Sequence, residues 1–160
     1  MAGQAKFVVA YAKPFWREQG LSGQIFSQVG PMVEIHDAST DINQNHGLFG
    51  FIGWPASSRS QMSEQQIKNA CLAQLVSCYG PDASNFTECY GKDWATDQFS
   101  YTASDRLETS RHPEFTLLDH MHELSSLHLH FIGSEFADID PGYLEGAIDA
   151  VDLSISRLCS

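Results

Sequence analysis

Apolar and polar positions alternate almost from the first residues. AKFVVAYA predicts a strand from about Lys6 to Tyr11. Alternation puts Phe7, Val9 and Tyr11 on one face and Lys6, Val8 and Ala10 on the other. Lys13-Pro14 ends the strand, and FWREQGLSG reads as a loop or short helix. GQIFSQVG and MVEIHDAS alternate again, separated by the turn signal Gly30-Pro31. LFGFIGW reads as a buried strand with glycines at close backbone approaches.

The period then changes. Ser63 is placed to cap a helix with Gln66 at the capping-box position, and Ile67, Ala70, Cys71, Leu75 and Cys78 recur at helical spacing. Gly80-Pro81 stops that helix. FTECYGKDW predicts another strand, residues 95–126 are polar and irregular, and LHLHFIG predicts a last strand. A C-terminal helix carries Leu144, Ala147, Ile148, Val151, Ile155 and Leu158 on one side. Strict βαβ alternation is missing, so the expected class is α+β, a mixed or antiparallel sheet with flanking helices.

A chain of 160 residues suits one domain or slightly more, and 42% hydrophobic with 11% aromatic residues supplies a core. The formal net charge of −11 speaks against nucleic acid and against an anionic membrane surface, both of which need clustered Lys and Arg. Cys71, Cys78, Cys89 and Cys159 form no CxxC or zinc spacing and read as reduced thiols, which with no signal peptide suggests a cytoplasmic protein. FVVAYA is too short to span a membrane.

Several kinds of chemistry have weak support. His120, His122, His128 and His130 form two HxH pairs, but no Cys, Asp or Glu completes an evident set, so no metal is expected. GxSxG, GxxxxGK[ST] and GxGxxG are all absent. Lys6, in mid-strand, either points to solvent or lies on the floor of a cavity. At Asp140-Pro141-Gly142 a helix begins, and the first N–H groups of a helix have no internal partner. Gly142 carries no side chain there, so a planar electronegative group could approach closely, with an ordinary strand-turn-helix connection as the alternative. Gly146, one turn on, reads as a packing position against a strand.

Three stretches carry a resemblance. HFIGSEFADIDPGYLEGAIDA, GQAKFVVAYAKPFWRE and KDWATDQFSYTASD resemble, in the same order, segments of the C-terminal portion of the flavin-dependent amine oxidases, the monoamine oxidase family. The resemblance implies that residues 1–100 are part of a substrate-binding domain, 101–126 a connection, and 127–160 the last strand and helix of an FAD-binding domain. It implies that Lys6 holds a water against the flavin, that Trp94 packs near its ring, and that Gly133, Ser134 and Glu135 form the turn beside it. Tyr143 would be one wall of an aromatic cage for the amine, and the Leu144 N–H, reached past Gly142, would meet the pyrimidine oxygen.

The departures shape the expectation. Ala103 stands where some members carry a flavin-linked Cys, implying non-covalent FAD, and Ser104 stands where a first cage aromatic would be. Without GxGxxG, the chain lacks the unit that holds the ADP half of FAD. The reading is therefore the C-terminal part of an FAD-dependent amine oxidase, inactive alone and binding FAD weakly or not at all. An N-terminal partner subunit would complete it, unless the chain is a truncated product, and an amine would be its substrate. The rival reading is a non-catalytic binding module, in which self-association or a partner would cover the apolar surface left bare.

Overall fold

A computed structural model describes residues 3–40, 45–102, 105, 129 and 131–158. The chain divides into two compact units, residues 1–111 and 112–160.

The first unit is built on β1 (Ala5–Tyr11). The helical turn α1 (Phe15–Glu18) follows, then β2 (Ile25–Phe26), β3 (Met32–Asp37) and β4 (His46–Ile52). Next come a turn of helix, α2 (Ala56–Arg59), the long helix α3 (Glu64–Tyr79) and β5 (Phe86–Asp93). The strands form one sheet in the order β2-β3-β4-β1-β5, antiparallel at every pair. Of the two expected sheet types, it is therefore the antiparallel one.

Burial along β1 alternates as the period of two requires, with Phe7, Val9 and Tyr11 buried. They meet Met32, Ile35, Leu48 and Ile52 from the sheet and Cys71, Leu75 and Tyr79 from α3. Phe15 and Trp16, which read as part of a loop or short helix, are core residues, and Trp16 is fully buried. Gly50 is required by packing: a Cβ there would lie 2.6 Å from Met32 Sδ. The Cys71 thiol, pushed up to about 12 by burial, is a packing group and not a nucleophile.

Helix α3 starts as its sequence signals. Ser63 Oγ accepts from the Gln66 N–H at 3.3 Å, and Gln66 Oε1 accepts from the Ser63 N–H at 2.8 Å. Of the expected face, Cys71 and Leu75 are buried and Ile67 packs on the core, but Cys78 is exposed and Gln74 and Tyr79 face inward as well. The reason is polar. The Gln74 amide accepts from the Met32 N–H and donates to the Val29 and Met32 carbonyls, each at 2.8 Å. It serves backbone groups that would otherwise be buried without partners, which draws that side of the helix inward.

Two ion pairs brace this unit. Arg59, 3% exposed, donates twice to Asp93 at 2.7 Å, to the Gly3 carbonyl at 2.6 Å and to the Trp54 carbonyl. Asp37 accepts from Trp16 Nε1 at 2.8 Å, Arg17 Nε at 2.7 Å and the Ser39 N–H at 2.8 Å.

In the second unit a 3-10 turn (Ser134–Phe136) leads through residues 137–143 to α4 (Leu144–Leu158). The last strand expected over LHLHFIG is not found: Leu129, Phe131 and Ile132 lie outside any strand, and its other residues before Gly133 are not among those described. Phe131 packs on Phe136, ring centroids 5.2 Å apart. The expected apolar side of α4 is the exposed one. Leu144, Ile148, Val151, Ile155 and Leu158 face outward, while Gly146, Ala150 and Ser154 are buried.

Removing one partner of a buried, fully bonded ion pair leaves the other uncompensated. Asp93→Asn is therefore expected to lower the free energy of unfolding by about 3 kcal/mol, read from urea melts. For Asp37, burial pushes the carboxyl up, but the hydrogen bonds from Arg17, Ser39 and Trp16 outweigh it and hold it far below the ordinary 3.8. A depressed folded value stabilises above the unfolded value and is lost as pH falls toward the folded one. Asp37→Asn is expected to cost about 2 kcal/mol at pH 7. Its deficit against the parent should shrink progressively below about pH 4.

Candidate functional site

The sheet has a core face and an open face, and the open face carries the chemistry. Strand pairing sets Lys92, Lys6, Phe51, Glu34 and Phe26 in one row across β5, β1, β4, β3 and β2. The next row holds Tyr90, Val8, Phe49 and His36. Lys6 points to this face, away from the core, with Nζ 4.7 Å from the centre of the Phe51 ring. Phe49 meets Phe51 at 5.6 Å and stacks on His36 at 5.1 Å, and Phe26 meets His36 at 6.2 Å. His36 Nε2 lies 3.3 Å from a Glu34 carboxylate oxygen. The result is an aromatic panel with a cation toward β1 and a carboxylate on β3.

Trp94 belongs to the same face. It follows β5 directly and is exposed, its backbone N–H donates to the Gln4 carbonyl at 2.9 Å, and Lys92 Nζ sits 4.8 Å from its ring centre. Lys92, the β5 partner of Lys6, is also bound to Asp97 at 2.7 Å. The structure thus places Lys6 and Trp94 together on one surface. Phe49, Phe51, Glu34 and His36 were not singled out by sequence, although the alternation of MVEIHDAS and LFGFIGW already separates their two faces.

The remaining predicted residues lie in the second unit. Gly133 has φ −74°, an ordinary extended conformation, and Ser134 and Glu135 form the 3-10 turn after it. The Gly142 N–H donates to the Ser134 carbonyl at 3.1 Å and the Tyr143 N–H to the Asp140 carbonyl at 3.1 Å. Those two amides are therefore committed within the turn. Leu144 is the first helical residue and is 91% exposed. Its amide belongs to the first turn, where a helix offers N–H groups without helical partners. Gly142 does need to be glycine, with φ +83°, and Asp140 holds φ +49°, tolerable for Asp. The Asp149 carboxylate fastens the loop by accepting from the Asp138 and Ile139 N–H groups at 3.1 and 3.2 Å. Gly146 does not pack on a strand as expected: a Cβ there would overlap the Asp140 carbonyl oxygen. Tyr143 is more than half exposed.

No group of three or more potential metal ligands occurs among the described residues, and no helix among them is long and apolar enough to cross a membrane. The HxH histidines His120, His122, His128 and His130, like Ala103 and Ser104, lie outside the described residues.

An antiparallel sheet backed by one long helix, with a lysine on its aromatic open face, and a separate glycine-containing helix start define an α+β class. The fold resembles that of cyclohexylamine oxidase from Brevibacterium oxydans, with a TM-score of 0.75, 23% identity, and coverage of 99% of this chain and 35% of that one. It also resembles a putrescine oxidase solved with putrescine, with a TM-score of 0.72, 22% identity, and coverage of 98% and 35%. In sequence it is 26% identical over 157 residues to a Dictyostelium discoideum protein named as a flavin-containing monoamine oxidase A, covering 94% of this chain and 33% of the relative. A Mycobacterium tuberculosis protein named as the flavin-containing monoamine oxidase AofH is 26% identical over 146 residues, covering 90% and 31%. The pattern of the flavin containing amine oxidoreductases matches residues 1–150, and the chain belongs to that family. It spans about a third of the length of the relatives it matches.

Helix propensity alone favours Ala over Gly at position 146 by about 1 kcal/mol. Overlap with a backbone carbonyl outweighs this, since overpacking costs roughly 1–3 kcal/mol. Gly146→Ala is therefore expected to lower the melting temperature and weaken α4 by far-ultraviolet circular dichroism. Gly133→Ala is expected to be near neutral, because its Cβ would meet only the flexible Glu135 carboxylate.

Proposed function

We propose that this chain forms the amine-facing and flavin-ring-facing part of an FAD-dependent amine oxidase. The observation that carries the proposal is Lys6: within a chain that matches the family over residues 1–150, it stands on the open aromatic face and not in the core. When bound, the flavin supplies the acceptor for the hydride equivalent from the amine's α C–H and is reoxidised by O2 to H2O2. The chain's own residues do the rest. Lys6 holds a water by its amine, over a panel of rings that excludes bulk solvent. Trp94 packs beside the ring from the same face. In the second unit Gly133, Ser134 and Glu135 form a turn beside the cofactor, and Gly142 leaves room for it. With a flavin bound, the Leu144 N–H, at a helix start, would be placed to stabilise negative charge on it, and Tyr143 would offer an aromatic wall to the amine.

The donor set fits the ring end of the cofactor, with first-turn amides and small residues at α4. It does not fit the ADP end, for which neither a GxGxxG turn nor a cluster of basic residues is present in the sequence. Distributed contacts carry most cofactor affinity, so these residues alone bind FAD weakly or not at all and need a dinucleotide-binding part beside them. A second reading, a non-catalytic module, is favoured by one observation: α4 presents Leu144, Ile148, Val151, Ile155 and Leu158 to solvent, a stripe suited to association.

The test is to purify the chain with FAD, alone and co-expressed with a dinucleotide-binding partner, and to follow flavin absorbance through gel filtration. The expected result is flavin retained with the partner and amine-dependent H2O2 release. Lys6→Met is expected to cut that release about 100-fold while leaving flavin retention unchanged. No retention under either condition overturns the enzyme reading in favour of the module.

A further inference from the structure

Strand β5 ends the sheet, and among the described residues no strand pairs with its outer side. Edge strands usually carry a device that blocks further pairing. Here the register shift at Ala10 and Tyr11 leaves Thr87 as an extra residue, which confines any further ladder to the chain beyond it. From Glu88 to Asp93 the pairing with β1 is regular, with no bulge and no proline. The Trp94 N–H donates to the Gln4 carbonyl, so the even-numbered backbone groups of β5 turn toward β1. By alternation the N–H and C=O groups of Cys89 and Gly91 turn outward. Glu88, Tyr90 and Lys92 are exposed on the open face. Glu88 meets the Tyr90 hydroxyl, and among the described residues no Lys or Arg pairs with it. The Lys92 ammonium, bound to Asp97 at 2.7 Å, has further donors to give.

This stretch, Glu88-Cys89-Tyr90-Gly91-Lys92, is complementary to itself when reversed. Laid antiparallel on a second copy about Tyr90, it sets Glu88 opposite Lys92 at both ends, Tyr90 opposite Tyr90, and Cys89 opposite Gly91. Cys89 and Gly91 then form the hydrogen-bonded pairs, with about four backbone bonds across the dyad. Glu88 and Lys92 form the non-hydrogen-bonded pairs, in which side chains lie closest. The neighbouring registers that keep the same backbone groups facing set Glu88 or Lys92 opposite Tyr90 and lose both ion pairs. We infer that two copies of this chain pair through β5, antiparallel about Tyr90, so that the sheet runs on from one copy into the other. The contact uses the same patch on each copy and therefore closes at a dimer. It involves only the edge of the sheet and does not rest on the amine oxidase reading.

The experiment is sedimentation velocity on the purified full chain and on charge-reversed variants, across a wide concentration range at low ionic strength. The parent is expected to dimerise reversibly. Glu88→Lys and Lys92→Glu each set like charges opposite one another at both ends, and each is expected to weaken the dimer about 10-fold or more. The chain carrying both reversals is expected to regain the parent's affinity. Within one strand these positions lie about 13 Å apart, so the two reversals compensate only across a partner in this register. Far-ultraviolet circular dichroism checks that each variant is folded, and if one single reversal unfolds the chain the other carries the comparison. A parent that stays monomeric, a dimer that the single reversals do not weaken, or a doubly reversed chain as weak as the single ones would each overturn the inference. The second of these outcomes would move the contact elsewhere, to the α4 stripe for example.

Discussion

Everything in the first unit depends on β1 being paired on both sides. It lies between β4 and β5, and its side-chain period of two sorts the whole sheet into a core face and an open face. A slip of one residue would bury Lys6 and expose Phe7, Val9 and Tyr11, which the core forbids. The hydrophobic demand of one face thereby fixes where the cation of the other face stands. Phe51, opposite Lys6, is on the open side because Leu48 and Ile52 are needed inside.

A sheet backed by one long helix has an uncovered side, and this structure steadies it by polar means. Arg59 joins Asp93 to backbone carbonyls at Gly3 and Trp54, tying the ends of β1, β4 and β5 together. Gln74 ties α3 to the turn before β3. Asp37 holds the end of β3 to Trp16 and Arg17 of α1. These are single side chains with three or four bonds each, and they tie the strands and helices of this unit together.

The second unit solves a different problem. Its loop must reverse tightly before α4, and it does so through Asp140 and Gly142 at positive φ, the Gly142 and Tyr143 amides bonded back, and the Asp149 carboxylate accepting two more. The helix start left after that reversal offers the Leu144 amide, two residues past Gly142. Small residues on α4 face its own loop, and its large ones face outward.

Much of this was legible from sequence because it is local. The period of β1, the Ser63 capping box, the Gly80 stop and the start of α4 each depend on residues within a few positions of one another. The three family-like stretches were legible for the same reason. What only tertiary structure decided involves distant partners. Gln74 turns the α3 face because backbone groups 42 and 45 residues away need its amide. The apolar stripe of α4 proved to be the outer one, since a period shows that a helix is two-faced but not which face is covered. Only strand pairing set Glu34 across Phe51 from Lys6, with His36 opposite Phe49 in the next row. Register between strands, and not composition, turned scattered aromatic and charged residues into one surface.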